Sequence, residues 1–274
     1  MVEPVVPSRH RWLAGLLAAA PGDRVADLGC GTGGSLAQAA PSVAGGLLAG
    51  LDLSAAALAR TAEAVGEAVA GLAPRPGLLW VQADLKAPLP LADGAFDRVL
   101  CHNVLEVLPD PDAVVAEAIR VLRPGGRLVL AHSDFDTLIF ASEDLELTRR
   151  LVGDYCDTQQ PWMDAVDGTI GRRLADIAGR AGLVVEDVQA AVVLAGGSCP
   201  GRSAGATPAT WPIPSAATAG PTRLTWTDGW PGCSGWTTGG PSCSASTTTP
   251  SSVVECPGDA LRAMGATVRR PTGR

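Results

Sequence analysis

Between residues 24 and 193 the chain alternates short aliphatic runs with longer stretches whose apolar positions recur every three or four residues. Short apolar runs bounded by turn residues suit strands buried on both faces. The three-to-four spacing suits amphipathic helices, and the alternation of the two is the pattern of a parallel sheet with crossover helices. The predicted strands are 24–28, 47–53, 78–84, 97–102, 127–132 and 183–193. Ser54 is placed to cap a helix over 55–69. Asp110-Pro111 opens another over 112–122, which stops before Pro124-Gly125-Gly126. The expected fold class is α/β, a Rossmann-like doubly wound and mostly parallel sheet.

The pattern is lost after Gly196. From 197 to 252 the chain is mostly Gly, Pro, Ser, Thr and Ala, yet it keeps Trp211, Trp226, Trp230 and Trp236. Ordinary disordered tails are poor in aromatics, so this composition asks for another explanation. A frame-shifted translation starting between Gly197 and Thr210 supplies one. Moving the frame back by one base turns Trp and Cys codons into those of Leu, Val or Met, and Thr codons into those of Asp, Asn, His or Tyr. Residues 230–252 then admit a reading with an amphipathic helix end, a charged turn and an apolar strand. Lys86 is the single lysine among abundant arginine, alanine and glycine, which fits a GC-rich coding sequence. The chain is therefore expected to divide into a cofactor-binding domain over 1–196 and a low-complexity Gly/Pro/Ser/Thr-rich tail over 197–274. The closing strand of the sheet is expected to be missing or garbled, with an open edge beside the sixth strand.

A formal charge of −7 and a pI near 5.0 argue against a broad surface for nucleic acid, and leave a small molecule as the expected partner. No apolar run reaches the roughly 18 residues of a membrane span. The N-terminus lacks the ordered regions of a signal peptide, so no membrane insertion and a cytoplasmic location are expected. The seven cysteines, at 30, 101, 156, 199, 233, 243 and 256, form no C-x-x-C pair. They read as free thiols, with neither a metal site nor a disulfide framework.

Candidate chemistry concentrates in the first half. Val25-Ala26-Asp27-Leu28-Gly29-Cys30-Gly31-Thr32-Gly33-Gly34 runs a strand into a glycine-rich turn ahead of a helix, where the backbone must turn tightly and approach a ligand. Gly29, Gly31 and Gly34 also satisfy the dinucleotide spacing, so the loop alone leaves NAD and S-adenosylmethionine both open. Asp27 separates them. A carboxylate aimed into the cleft suits the cationic methionine end of the methyl donor and opposes a pyrophosphate. Asp52, with Leu53 beside it, ends the second strand where an acid can accept from both ribose hydroxyls. Asp84 and Leu85 end the third, where an adenine amino group and ring face can be read.

These segments, with Phe96-Asp97 and Leu122-Arg123-Pro124-Gly125-Gly126-Arg127-Leu128, resemble the successive motifs of class I S-adenosylmethionine-dependent methyltransferases, nearest the type 11 and quinone-biosynthesis-like group. The resemblance runs in order over about residues 25–193. It implies that S-adenosylmethionine is the cofactor, that Gly29 and Gly31 line its methionine portion, and that Asp52 holds the ribose. It also implies that Asp84 and Leu85 frame the adenine and that Asn103 flanks the cofactor after the fourth strand. The expected activity is methyl transfer to a small-molecule acceptor. The alternatives are an NAD-dependent oxidoreductase, which explains Asp27 badly, and a non-catalytic cofactor-binding module.

Because the methyl donor carries its own leaving group, no catalytic residue follows from the resemblance. His102 and His132 are weak candidates for a base, since they end adjacent predicted strands where open α/β sheets place their sites. His10 is expected to be ordinary surface. Residues 134–140 are a candidate acceptor wall, which Trp162 and Met163 would close.

Overall fold

The computed structural model describes residues 9–139, 144–195, 209–210, 225–226 and 259–272. In chain order the elements are α1 (Arg9–Leu17), β1 (Arg24–Leu28), α2 (Gly34–Ala39), β2 (Leu47–Asp52), α3 (Ala55–Val69), β3 (Gly77–Gln82), β4 (Phe96–His102), α4 (Pro111–Val121) and β5 (Leu122–Ile139). They continue with α5 (Leu145–Asp157), α6 (Leu174–Arg180), β6 (Val184–Ala195), β7 (Ala209–Thr210), β8 (Thr225–Trp226) and β9 (Asp259–Arg269). Seven strands make one sheet in the order β3-β2-β1-β4-β5-β9-β6, while β7 and β8 pair with each other. Strands β1 to β5 are parallel; β9 runs antiparallel to both its neighbours.

Helix boundaries follow from local chemistry. The Ser54 side chain accepts from the Ala57 amide at 3.2 Å, and the Asp110 carboxylate accepts from the Ala113 amide at 3.0 Å, with Pro111 at the first helical position. Such a cap is worth about 1 kcal/mol. In α4 the buried side chains are Val114, Val115, Ala118 and Val121, the stripe that the three-to-four spacing requires.

The strands divide their side chains between two cores, as a period of two demands. On one face Val25, Leu48, Leu100 and Val129 meet Leu13 and Leu17 of α1, Leu36 of α2 and Leu58 and Val65 of α3. On the other, Ala26, Leu51, Val99, Leu128, Leu130 and Val268 meet α4 and Ile177 of α6. The mostly parallel, doubly wound α/β sheet expected from the sequence is present.

The closing strand corrects the expectation that it is absent. Residues 259–269 fill the gap between β5 and β6, so β6 is closed on its inner side and only its outer edge is open. The strand escaped notice because its small residues give little hydrophobic signal. Smallness is what its place requires: a Cβ on Gly265 would come within 3.1 Å of Trp12 on α1. Arg270 then ties the strand's end to the α4–β5 junction, donating to the Ile119 carbonyl at 2.8 Å, and its backbone exchanges bonds with Gly125 and Gly126. The proposed frame-shifted stretch of 230–252 lies outside the described residues, as does most of the 197–274 tail.

Val268 is fully buried. Val268→Asp should cost about 3 kcal/mol or more, the range for burying an uncompensated polar group. Urea unfolding checks this; an unchanged midpoint would remove β9 from the core.

Candidate functional site

The parallel strands β1 to β4 all deliver their carboxyl ends to one edge of the sheet, and the acids singled out in the sequence meet there. The loop after β1 turns through Gly29, Gly31 and Gly33, each with positive φ, at 75°, 56° and 78°. Their surroundings differ. A Cβ on Gly29 would strike Val104 and one on Gly33 would strike the Thr61 backbone, whereas one on Gly31 would meet nothing within 4 Å. Gly29 and Gly33 are therefore glycine for packing, and Gly31 faces open space above the loop.

Asp52 holds that loop in shape. One carboxylate oxygen accepts from the Gly31 amide at 2.9 Å, and the other from the Ser54 amide at 2.8 Å. The Gly29 and Cys30 amides both bond the Leu51 carbonyl, and the Thr61 hydroxyl donates to the Gly31 carbonyl at 2.9 Å. Leu53 is 64% exposed beside this arrangement. An apolar side chain so bare at the mouth of a polar loop is a surface available to a flat partner.

Asp27 is poorly satisfied by its surroundings. It is buried, and its Oδ1 has no hydrogen-bond partner. Burial, reinforced by the charge of Asp52, pushes its carboxyl up to about 7. A buried carboxylate in that state calls for a cation. Nearby Cys30 is no nucleophile, since burial first and then the Asp27 charge push its thiol up to about 12.

Asp84 bonds the Lys86 amide at 3.0 Å and lies 3.6 Å from the Lys86 ammonium, which in turn reaches Asp164 at 2.7 Å. Leu85 is half-buried against the core. Asn103 has φ 52°, and its side chain both accepts from the Ser133 amide (2.8 Å) and donates to the Ser133 hydroxyl (3.2 Å). It ties the end of β4 to β5 at Ser133.

The histidines have different surroundings. His102 is held well below its ordinary pKa, by burial first and then by Arg9, His10 and His132. His132 is buried, with Nε2 2.6 Å from Glu106 Oε2, a close contact without the alignment of a regular hydrogen bond; its Nδ1 has no partner. His10 is not the ordinary surface residue expected. Its Nδ1 lies 3.0 Å from the Ser35 hydroxyl, and its ring sits over Gly34 and edge-on to His102, with centroids 6.2 Å apart.

Beyond His132 the candidate wall is partly structural. Asp134 is buried and takes two bonds from Arg172, while Phe135 stands edge-on between His132 and Tyr155. Phe140 lies outside the described residues. The segment before α6 folds back onto this wall. Asp164 and Ala165 donate to the Val107 carbonyl and Asp167 to that of Glu106, while Trp162 remains 57% exposed. Glu106, Arg172 and His10 carried no sequence signal, because only the fold brings them to the edge.

Residues 26–130 match the family described as a methyltransferase domain. A 37.1 kDa protein carried in transposon TN4556 of Streptomyces fradiae is 37% identical over 173 residues, 63% of this chain and 46% of that protein. The demethylmenaquinone methyltransferase of Beutenbergia cavernae is 38% identical over 116 residues, 42% of this chain and 43% of the relative. The arsenite methyltransferase of Aquipseudomonas alcaligenes is 34% identical over 173 residues, 60% and 47% of the two chains. The chain thus spans less than half the length of each. Among solved structures, a Bacillus halodurans C-125 protein superimposes with a TM-score of 0.59 at 15% identity, covering 97% of this chain and 100% of that one, a likeness of fold.

Asp27 also sets a pH dependence. Its folded pKa of about 7 lies above the ordinary 3.8, so the folded state holds the proton longer and stability falls as pH rises between these values. Asp27→Asn should raise the melting temperature of the ligand-free protein above pH 7, with the gain shrinking toward pH 4. Thermal scans across that range test the sign.

Proposed function

Starting from a chain whose residues 26–130 belong to the methyltransferase-domain family, we propose that the protein transfers the methyl group of S-adenosylmethionine to a small-molecule acceptor. The observation that carries this is the pairing of a buried, unpartnered carboxylate at Asp27 with open space above Gly31. A sulfonium ligand with an ammonium group answers that need for positive charge; the pyrophosphate of NAD would add negative charge.

When bound, S-adenosylmethionine supplies an electrophilic methyl and its own leaving group. The residues of this chain hold and orient it. Asp27 faces the cationic methionine end, Gly31 allows the backbone to approach, and Gly29 lines the same end while its missing Cβ makes room for Val104. Asp52 keeps lone pairs for the ribose hydroxyls while fixing the loop through Gly31. Asp84 reads the adenine edge, and Leu53 and Leu85 cover its faces. Asn103 flanks the cleft by fastening β4 to β5.

Of the two candidate bases, His132 is favoured over His102. The Glu106 carboxylate lies 2.6 Å from its Nε2, a negative charge beside the ring that would favour the imidazolium formed when a proton is taken up. His102 lies in surroundings that disfavour its cation. Phe135 must turn aside for an acceptor to reach the His132 ring. The small-molecule character of the acceptor rests on relatives named for demethylmenaquinone and arsenite.

Calorimetric titration with S-adenosylmethionine, S-adenosylhomocysteine and NAD tests the cofactor, and methyl transfer to a metabolite panel tests the activity. Binding of NAD alone would overturn the reading; tight binding without transfer to any acceptor would favour a non-catalytic module. Asp52→Ala should weaken S-adenosylmethionine by about 1.5–3 kcal/mol, the range for bonds to a charged group. His132→Gln should slow transfer by roughly 10²–10⁴-fold, the span of general-base contributions, with cofactor affinity unchanged.

A further inference from the structure

Two acids far apart in the chain compete for one cation at the strand edge. The Lys86 ammonium lies 2.7 Å from Asp164 Oδ2 and 3.6 Å from Asp84 Oδ2. Asp84 follows β3 and is the acid assigned above to the adenine, whereas Asp164 belongs to the segment 158–169 between α5 and α6. Lys86, the single lysine of the chain, is where the cofactor side and the acceptor side of the candidate site meet.

The bonds made by that segment give the contact its weight. The amides of Asp164 and Ala165 both donate to the Val107 carbonyl at 3.1 Å, and that of Asp167 donates to the Glu106 carbonyl at 3.0 Å. The Gly168 carbonyl accepts from the Phe135 amide at 3.0 Å, and Arg173 pairs with the Asp167 carboxylate. One short strap thus holds the backbone of Glu106, which lies against His132, and of Phe135, which stands edge-on to the same ring.

How firmly Lys86 holds the strap depends on Asp84. Asp84 Oδ1 already accepts from the Lys86 amide at 3.0 Å, so Oδ2 is the oxygen left for the adenine amino group. A hydrogen bond donated to Oδ2 offsets part of the charge that draws the ammonium, and the balance shifts toward Asp164. Both carboxylates and the ammonium are exposed, so solvent limits the shift to a few-fold.

We propose that Lys86 is a positioning residue that couples the two sides of the site. Adenine engaging Asp84 turns the lysine toward Asp164 and tightens the 158–169 strap against the Glu106–Val107 turn, so the acceptor side is set once the cofactor is in place. The proposal rests on the methyl-donor reading above and adds an order to it, cofactor before acceptor.

Hydrogen exchange on the full chain reads the strap at the amides of Asp164, Ala165 and Asp167. Saturating S-adenosylhomocysteine should slow them about two- to fivefold in the wild type. The analogue with unsubstituted purine in place of adenine has no amino hydrogen to donate and should leave them unchanged. In Lys86→Met the same amides should exchange faster without ligand and show no response to saturating S-adenosylhomocysteine, whereas Lys86→Arg should restore the response. Unchanged exchange in β1 and β4 is the control for folding, and if Lys86→Met does not fold, Asp164→Ala cuts the same tie from the strap and should show the same loss. Three outcomes would each overturn the coupling and leave the cofactor reading intact: wild-type amides indifferent to S-adenosylhomocysteine, a Lys86→Met variant that responds as the wild type does, or an equal response to the purine analogue. If calorimetry finds no binding of S-adenosylhomocysteine to the wild type, the cofactor reading itself fails.

Discussion

Parallel strands joined by crossover helices all end on the same edge of their sheet, and most of what is chemically unusual in this molecule follows from that constraint. Asp27, Asp52, His102 and His132 belong to or end four different strands, yet they share one edge because β1, β2, β4 and β5 run the same way. The glycine loop converts that edge into a cradle. Its amides are spent on Leu51 and Asp52, so its shape is set before any ligand arrives. Preorganisation of this kind reduces what binding must later spend on ordering.

The same edge is poorly satisfied by the protein alone. A buried carboxylate without a partner, and His10 and His102 held away from their charged forms, are costs that a folded chain carries only where something else offsets them. Elsewhere the charges are well matched. Arg120, for example, bonds Glu117, Asp93 and two backbone carbonyls beneath α4.

Elements built on strong local signals were legible in the sequence. The caps at Ser54 and Asp110, β1 and the positive-φ glycines are dictated within a few residues of themselves. The places of Asp27 and Asp52 in the chain were legible too, because each ends a strand that leads into a helix, whereas Asp84 follows a strand that turns into β4 with no helix between. What could not be read depends on partners far away in the chain. His10 looked like surface because its environment is made by Ser35 and His102. Glu106 is ordinary until His132 lies against it. The continuation of β5 beyond His132 was hidden by polar Ser133, Asp134 and Asp136, of which Asp134 is compensated by Arg172. In β9, Gly265 leaves room for Trp12 and Leu16 of α1, and the small residues of the strand carry almost no hydrophobic pattern.

The position of β9 bears on how the molecule comes into being. Strand β9, far along the chain from β5, sits inside the sheet, and pairs such as Leu130 with Ala266 join it to β5, with β6 on its other side. During synthesis β5 emerges long before its neighbour, and β6 has no place in the sheet until β9 has slotted in beside it. Non-local pairing of this kind is slow to form. A nascent chain in which residues 259–269 have not yet emerged therefore exposes the unpaired border of β5.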